Sequence, residues 1–315
     1  MAEFDLIARI RQRVAQRDDV ALGIGDDAAL LRVPAGRELA VAMDTLNTGV
    51  HFPSETAPAD IGWKALAVNL SDLAAMAAEP AWCTLSLSLP QADADWLDAF
   101  LDGFLGLAAL HGVALVGGDT TRGPLSVCVT VHGFVAPGHA RRRDAARVGD
   151  TVWVSGTLGD AAGALAQWRE GKAADPCLRE RLDRPTPRLA LLPVLRHAHA
   201  CIDVSDGLLA DLGHVCAASG VGVQIDIDAL PASAALRANF DADMRRRLQA
   251  TGGDDYELCF TAPACAREAI EREAATAGVA VTAIGRVVAG EGVQALDADG
   301  SPWVVERKGY DHFGV

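Results

Sequence analysis

Short apolar runs of strand length, most of them stopped by an aspartate or a glycine, alternate with helix-spaced segments along the 315 residues. That alternation confines the chain to the α/β class, because strand and helix periods follow one another instead of segregating. AALLRV and ELAVAMD read as two strands joined by the turn Pro34-Ala35-Gly36, and WCTLSLSL alternates as a half-buried strand. VALVGGD is a short buried strand and PLSVCVTVHGFV a longer one. Between them, residues 57–77 and 92–111 have helical spacing. MAEFDLIARIRQRV sets Phe4, Ile7, Ile10 and Val14 on one face of a first helix.

The basic, glycine-punctuated stretch from Pro137 to Gly149 is the best boundary, which divides the chain into domains at 1–140 and 141–315. A second α/β pattern then opens with TVWVSG and a small-residue helix near 160–169. Pro185 and Pro187 mark a loop before a helix from Arg188. ACIDVSDG reads as strand then turn, LLADLGHVCAASG as a helix with a glycine C-cap. GVQIDI, YELCFT and VAVTAIGRVV are the later strands, with a helix over 263–277.

Composition narrows the partners. A formal charge of −14 disfavours nucleic acid and anionic membrane, both of which need a basic face. The longest apolar stretch, near 104–116, is too short and too interrupted by Gly106, His111 and Gly112 to span a bilayer. There is no apolar leader, and Glu3 and Asp5 argue against a mitochondrial address. Seven cysteines without a CxxC pair fit reduced thiols in a cytoplasmic protein and make zinc an unpromising ligand.

Several familiar nucleotide and hydrolase signatures fail on chemistry. Gly171-Lys172 is followed by Ala173, so a Walker A cradle is missing. Gly23-Ile24-Gly25-Asp26-Asp27-Ala28 matches a dinucleotide-binding string, yet Asp26 and Asp27 would face a pyrophosphate with negative charge. Ser205 lacks the glycine two residues earlier that a nucleophile elbow requires.

What remains is a set of acidic segments: GIGDD (23–27), AMDTLNTGVHF (42–52), NLSDLAAM (69–76), VGGDTTRGP (116–124), DVSDG (203–207) and GGDDYELCF (252–260). Most place an aspartate at the end of an apolar run or beside a glycine. Asn69 and Asp72 are instead three apart on one helix face. Magnesium takes hard oxygen ligands, keeps several waters, and is commonly held by few carboxylates together with substrate phosphates. Separated aspartates gathered by a fold would suit such a site. Taken one at a time, each serves equally as a turn residue, a helix cap or a solvated carboxylate.

Taken in order, GIGDDAALL, DTLNTGVHF, KALAVNLSDLAAMAAEPAW, GGDTTRGPL, DVSDGLLADLGH, GGDDYELCF and the terminal KGYDHF resemble the thiamine-monophosphate kinase family over essentially the whole chain. VNLSDLAAM and GGDTTRG belong more widely to ATP-dependent enzymes related to aminoimidazole ribonucleotide synthetase. The HF after the Asp-Thr segment, GGDDYEL and KGYDHF narrow the resemblance to the kinases. It implies a two-domain α/β fold whose N-terminal sheet pairs across a homodimer, with ATP and magnesium in a cleft between the domains.

The same resemblance implies Asp27, Asp44, Asp72, Asp119 and Asp203 as magnesium ligands, with Asp206 holding a further ion. Gly118, Asp119, Arg143 and Ser205 would meet ATP. His51, Asp254 and Tyr310 would line the thiamine phosphate pocket. The chain departs from the family before Asp44, where Ala42 and Met43 replace hydroxyl residues, so metal contact there falls to a backbone carbonyl or water.

The reaction implied is ATP plus thiamine phosphate giving ADP plus thiamine diphosphate. The acceptor's second pKa of about 6 leaves it largely an anionic nucleophile at neutral pH, so no general base is expected. Two other readings stay open here. A sister enzyme could apply the same ATP site to a formylglycinamidine or a selenide, although the first cysteine is Cys83. A regulatory protein could bind nucleotide and metal without turnover.

Overall fold

The computed structural model describes residues 3–306 and 309–310, with side chains from Asp5 onward. Phe4's side chain and Lys308, Asp311, His312 and Phe313 of the terminal motif lie outside the described residues. The chain forms two compact units. One comprises the chain up to Leu73 with Ala78–His139; the other comprises Ala74–Ala77 and the chain from Ala140.

The first unit runs α1 (Glu3–Arg13), β1 (Val20–Leu22), β2 (Leu30–Leu31), β3 (Glu38–Asn47), α2 (Pro58–Ala75), β4 (Glu79–Leu89), α3 (Ala94–Leu110), β5 (Ala114–Arg122) and β6 (Ser126–Val135). Its four-stranded sheet has the order β3-β6-β4-β5. β6 is antiparallel to both neighbours, and β5 returns parallel to β4 through α3. Leu85 and Leu87 of β4 and Val127, Val129 and Val131 of β6 share one buried face, as a period of two requires. α2 lies on that face, where a Cβ at Gly133 would stand 3.1 Å from Leu73. α2 and α3 touch backbone to backbone, since a Cβ at Gly103 would sit 1.7 Å from the Ala59 carbonyl oxygen. On the other face, the β1–β2 hairpin packs Val20, Ala29 and Leu31 against Trp82 and Phe134, and Trp82 Nε1 donates to Asp19 at 3.0 Å. The glycine-rich loop 23–29 is the tip of this hairpin, and β2 pairs with β1 rather than continuing toward β3.

In the second unit, β7 (Asp150–Ser155), α4 (Asp160–Arg169), α5 (Pro176–Asp183), α6 (Leu192–Leu195), β8 (Ala200–Asp203), α7 (Leu208–Ser219) and β9 (Gly222–Asp226) come first. They are followed by α8 (Ala234–Asn239), α9 (Ala242–Thr251), β10 (Leu258–Pro263), α10 (Arg267–Ala277), β11 (Val281–Val288), β12 (Gly292–Leu296) and β13 (Pro302–Trp303). The sheet order is β13-β12-β9-β11-β7-β10-β8, with only the β9–β12 pair parallel. Both faces are covered. Val152, Val154, Ile202 and Cys259 meet Leu208, Leu212 and Val215 of α7, whereas Trp153, Cys201, Leu258 and Phe260 meet α6 and α10. β8 is an edge strand, so Asp203 ends it at the sheet's margin, where the chain turns into α7.

Candidate active site

The first unit supplies four of the expected metal ligands from four different elements. Asp27 is exposed on the hairpin tip, where its N–H donates to Asp26 at 2.9 Å. Asp44 is half-buried in β3, and its N–H donates at 2.9 Å to Asn69 Oδ1 of α2. Asp72 follows Asn69 by three residues on the same helix. Asp119 is exposed in β5 beside Gly118, whose φ of 148° and 1.8 Å Cβ approach to the Leu85 carbonyl admit glycine alone. Next to Asp44, Ala42 and Met43 offer no side-chain oxygen.

Register separates two of these acids. Asp44 pairs with Val129, Val129 with Leu85, and Leu85 with Gly118. Asp119, one residue further along β5, pairs with Ser86. Three strand spacings place the two at opposite edges, roughly 14 Å apart.

His51 is half-buried in the turn after β3. Its Nδ1 accepts the Asn47 N–H at 3.0 Å, and its carbonyl accepts from Lys64 Nζ at 2.9 Å. Lys64 is only 1% exposed, so a buried ammonium anchors the loop that carries His51.

In the second unit, two distant segments converge on the turn after β8. Asp203 is buried, and Ser205 and Asp206 are half-buried. Asp254 N–H donates to the Ser205 carbonyl at 2.8 Å and Tyr310 N–H to that of Asp206 at 2.9 Å. Asp254 also accepts from the Tyr256 hydroxyl at 3.2 Å. Arg143 is exposed in a single turn whose carbonyl accepts from Ser219 Oγ at 2.8 Å. Its neighbours are engaged: Arg142 pairs with Asp144, and Arg141 reaches the Arg196 carbonyl at 3.2 Å.

Two features were not singled out from sequence. Asp211, in the first turn of α7, is buried, and burial with the charges of Asp203 and Asp206 pushes its carboxyl up to about 7. Beneath GGDDYEL, Glu257 is fully buried, accepting from Ser155 Oγ at 2.5 Å, Arg181 at 2.7 Å and Arg188 Nε at 2.6 Å. Asp255 accepts the Gly159 N–H on both oxygens, at 3.0 and 2.8 Å. The repeat of acids in DDYE is the sequence signal for this pair.

Among the described residues, no group of three or more His, Cys, Asp or Glu side chains is arranged to hold a metal ion on its own. The donor chemistry at the end of β8 nevertheless suits a hard cation. Asp203 and Asp206 bring two carboxylates to one turn, and magnesium completes its shell with water and phosphate oxygens. None of the helices, over the described residues, is long and apolar enough to cross a membrane.

Residues 25–135 match the family model for the AIR synthase related protein N-terminal domain, and 147–297 match that for the C-terminal domain. The thiamine-monophosphate kinase of Salmonella typhimurium is 48% identical over 99% of this chain and 98% of its own. The crystal structure of thiamine-monophosphate kinase from Stenotrophomonas maltophilia is 56% identical, with a TM-score of 0.89 over 96% of this chain and 98% of that one. A structure of AaThiL complexed with AMPPCP and TMP is 33% identical, with a TM-score of 0.78 over 99% and 97%.

Proposed function

We infer function from membership: the chain belongs to the thiamine-monophosphate kinase family and catalyses ATP-dependent phosphorylation of thiamine phosphate to thiamine diphosphate. The observation that carries the residue-level reading is the gathering of Asp203, Ser205, Asp206, Asp254 and Tyr310 on one turn by backbone hydrogen bonds. A relative of 33% identity has been seen with AMPPCP, an ATP analogue, and TMP. That fits a turn serving nucleotide and acceptor together.

The acceptor phosphate is largely a dianion at neutral pH, so the protein's task is to position it and offset repulsion between two polyanions. Asp27, Asp44, Asp72 and Asp119 of residues 1–140, the proposed ATP-, magnesium- and dimer-forming domain, and Asp203 and Asp206 of residues 141–315 would hold magnesium. When bound, magnesium neutralises phosphate oxygens. Gly118 and Asp119 approach the nucleotide phosphates, Arg143 adds a fixed positive charge, and Ser205 a hydroxyl. His51, Asp254 and Tyr310 receive thiamine phosphate. A carboxylate and an aromatic ring complement the thiazolium cation and the aminopyrimidine of thiamine.

Edge strand β3 exposes Leu39, Val41 and Met43 at 42, 57 and 62%, an apolar stripe that a second copy would cover in a homodimer. Seven cysteines without a CxxC pair support a cytoplasmic enzyme. Single-turnover reaction with terminally labelled ATP tests the chemistry. Label passing straight to thiamine diphosphate supports in-line transfer, and label trapped covalently on the protein overturns it.

A further inference from the structure

The turn between β8 and α7 sorts its backbone hydrogen bonds by direction. The N–H groups of Ser205, Asp206 and Gly207 donate to one atom, Oδ2 of Asp211, at 3.0, 3.1 and 3.1 Å. The carbonyls of Val204, Ser205 and Asp206 accept from the N–H groups of Tyr256, Asp254 and Tyr310, at 2.8, 2.8 and 2.9 Å. One carboxylate oxygen therefore holds the inner side of a turn whose outer side holds both segments assigned to the acceptor.

The arrangement has a local cause. Gly207 is the N-cap of α7, where a side-chain oxygen would ordinarily satisfy the first helical donors. No such side chain fits, because φ is 125° and a Cβ would lie 2.8 Å from Thr251 backbone atoms. The duty falls to Asp211, one turn into the helix, reaching back much as the acid of a capping box does. On the outer side, Asp254 and Tyr256 have φ of 69° and 49°, uncommon for residues other than glycine and kept only where surroundings enforce them. Their bonds to Ser205 and Val204 are part of that enforcement.

We propose that Asp211 is a positioning residue for both substrates: it fixes Ser205 and Asp206 on the nucleotide side and, through the carbonyls of the same turn, Asp254 and Tyr310 on the acceptor side. This rests on the assignments made under Proposed function. The residue touches neither substrate. Its effect is to make the two binding surfaces one mechanical unit.

The test compares Asp211→Ala, Asp211→Asn and a control, Leu195→Ala, in the core on the sheet's other face. Steady-state kinetics give KM for ATP and for thiamine phosphate, calorimetry gives each Kd, and hydrogen exchange follows the amides of 205–207, 254, 256 and 310. Asp211→Ala should raise both KM and both Kd values by roughly 10-fold or more and speed exchange at all six amides together. Asp211→Asn keeps an oxygen that accepts the same three N–H groups and should restore most of the loss. Leu195→Ala should lower Tm and leave both KM values alone. The proposal fails if Asp211→Ala moves neither or only one substrate's constants, if Asn rescues nothing, or if the control shifts them equally. Should Asp211→Ala not fold, Asp211→Glu displaces the oxygen by one methylene, and wild-type constants there overturn the proposal. If the wild-type protein makes no thiamine diphosphate, the functional reading falls, and amide exchange alone judges Asp211's hold on the turn.

Discussion

Asn69 and Asp44 are joined by one hydrogen bond, from the Asp44 backbone N–H in β3 to the buried Asn69 amide oxygen in α2, at 2.9 Å. Asn69 Nδ2 donates at 2.9 Å to the Ala65 carbonyl, so both ends of the amide are committed. Helix α2 thus grips the strand at the residue that presents an acid, while Asp72 offers a second acid one turn on.

Asn69→Ala leaves the Asp44 N–H without that acceptor, which should cost about 1–3 kcal/mol of stability. The same change should raise the magnesium concentration giving half-maximal activity, because Asp44 loses its tether. Calorimetry and a magnesium titration check the two effects. An unchanged magnesium requirement would show that Asp44 is placed without Asn69.

Gly118→Ala drives a Cβ to within 1.8 Å of the Leu85 carbonyl oxygen at a φ of 148°. About 3 kcal/mol of destabilisation is expected, together with loss of turnover as β5 shifts Asp119. Gly117→Ala is the control. Its nearest neighbour would be Thr84 Cγ2 at 3.8 Å, so thermal melts should barely move.

Tyr310 is 48% exposed and docks through its backbone N–H, which substitution preserves. Tyr310→Ala should therefore alter stability by no more than about 0.5 kcal/mol. Its KM for thiamine phosphate should rise more than its KM for ATP. Equal changes in both would remove Tyr310 from the acceptor pocket.

Burial pushes the Asp255 carboxyl well above its ordinary value, aided by the charges of Asp160 and Glu257 and opposed by the Gly159 N–H and Arg181. An acid that binds its proton more tightly folded than unfolded adds stability at low pH. That contribution declines as pH rises from the unfolded pKa, about 3.9, through the folded one. Asp255→Asn should flatten the decline, and Tm measured against pH will show it. A slope identical to wild type would mean that folding does not raise the Asp255 carboxyl.

Much of the architecture was legible because period and punctuation agree. The expected helix over 57–77 is α2, that over 92–111 is α3, and LLADLGHVCAASG is a helix closed by Gly220 in the left-handed region. Where tertiary contacts decide, structure and sequence pattern diverge. AALLRV keeps only two strand residues because its partner is Val20–Leu22. The helix expected from Arg188 shrinks to α6 after a tight turn, and that over 263–277 begins at Arg267, since Pro263 still belongs to β10. α5, α8 and α9 leave little mark in the sequence because they are short, and packing rather than a long apolar stripe sustains them. The motif aspartates were visible as residue types at turns. The acids behind them were not, since Asp211 and Glu257 act through bonds to backbone and arginine that no spacing encodes.

This chain moves phosphate from ATP to thiamine phosphate. The direct measurement is ADP and thiamine diphosphate formed on incubation with ATP and magnesium, with and without thiamine phosphate. Equimolar ADP and thiamine diphosphate should form only when the acceptor is present, and should be lost when magnesium is chelated. ADP release that ignores thiamine phosphate, or ATP binding with no ADP at all, would contradict it.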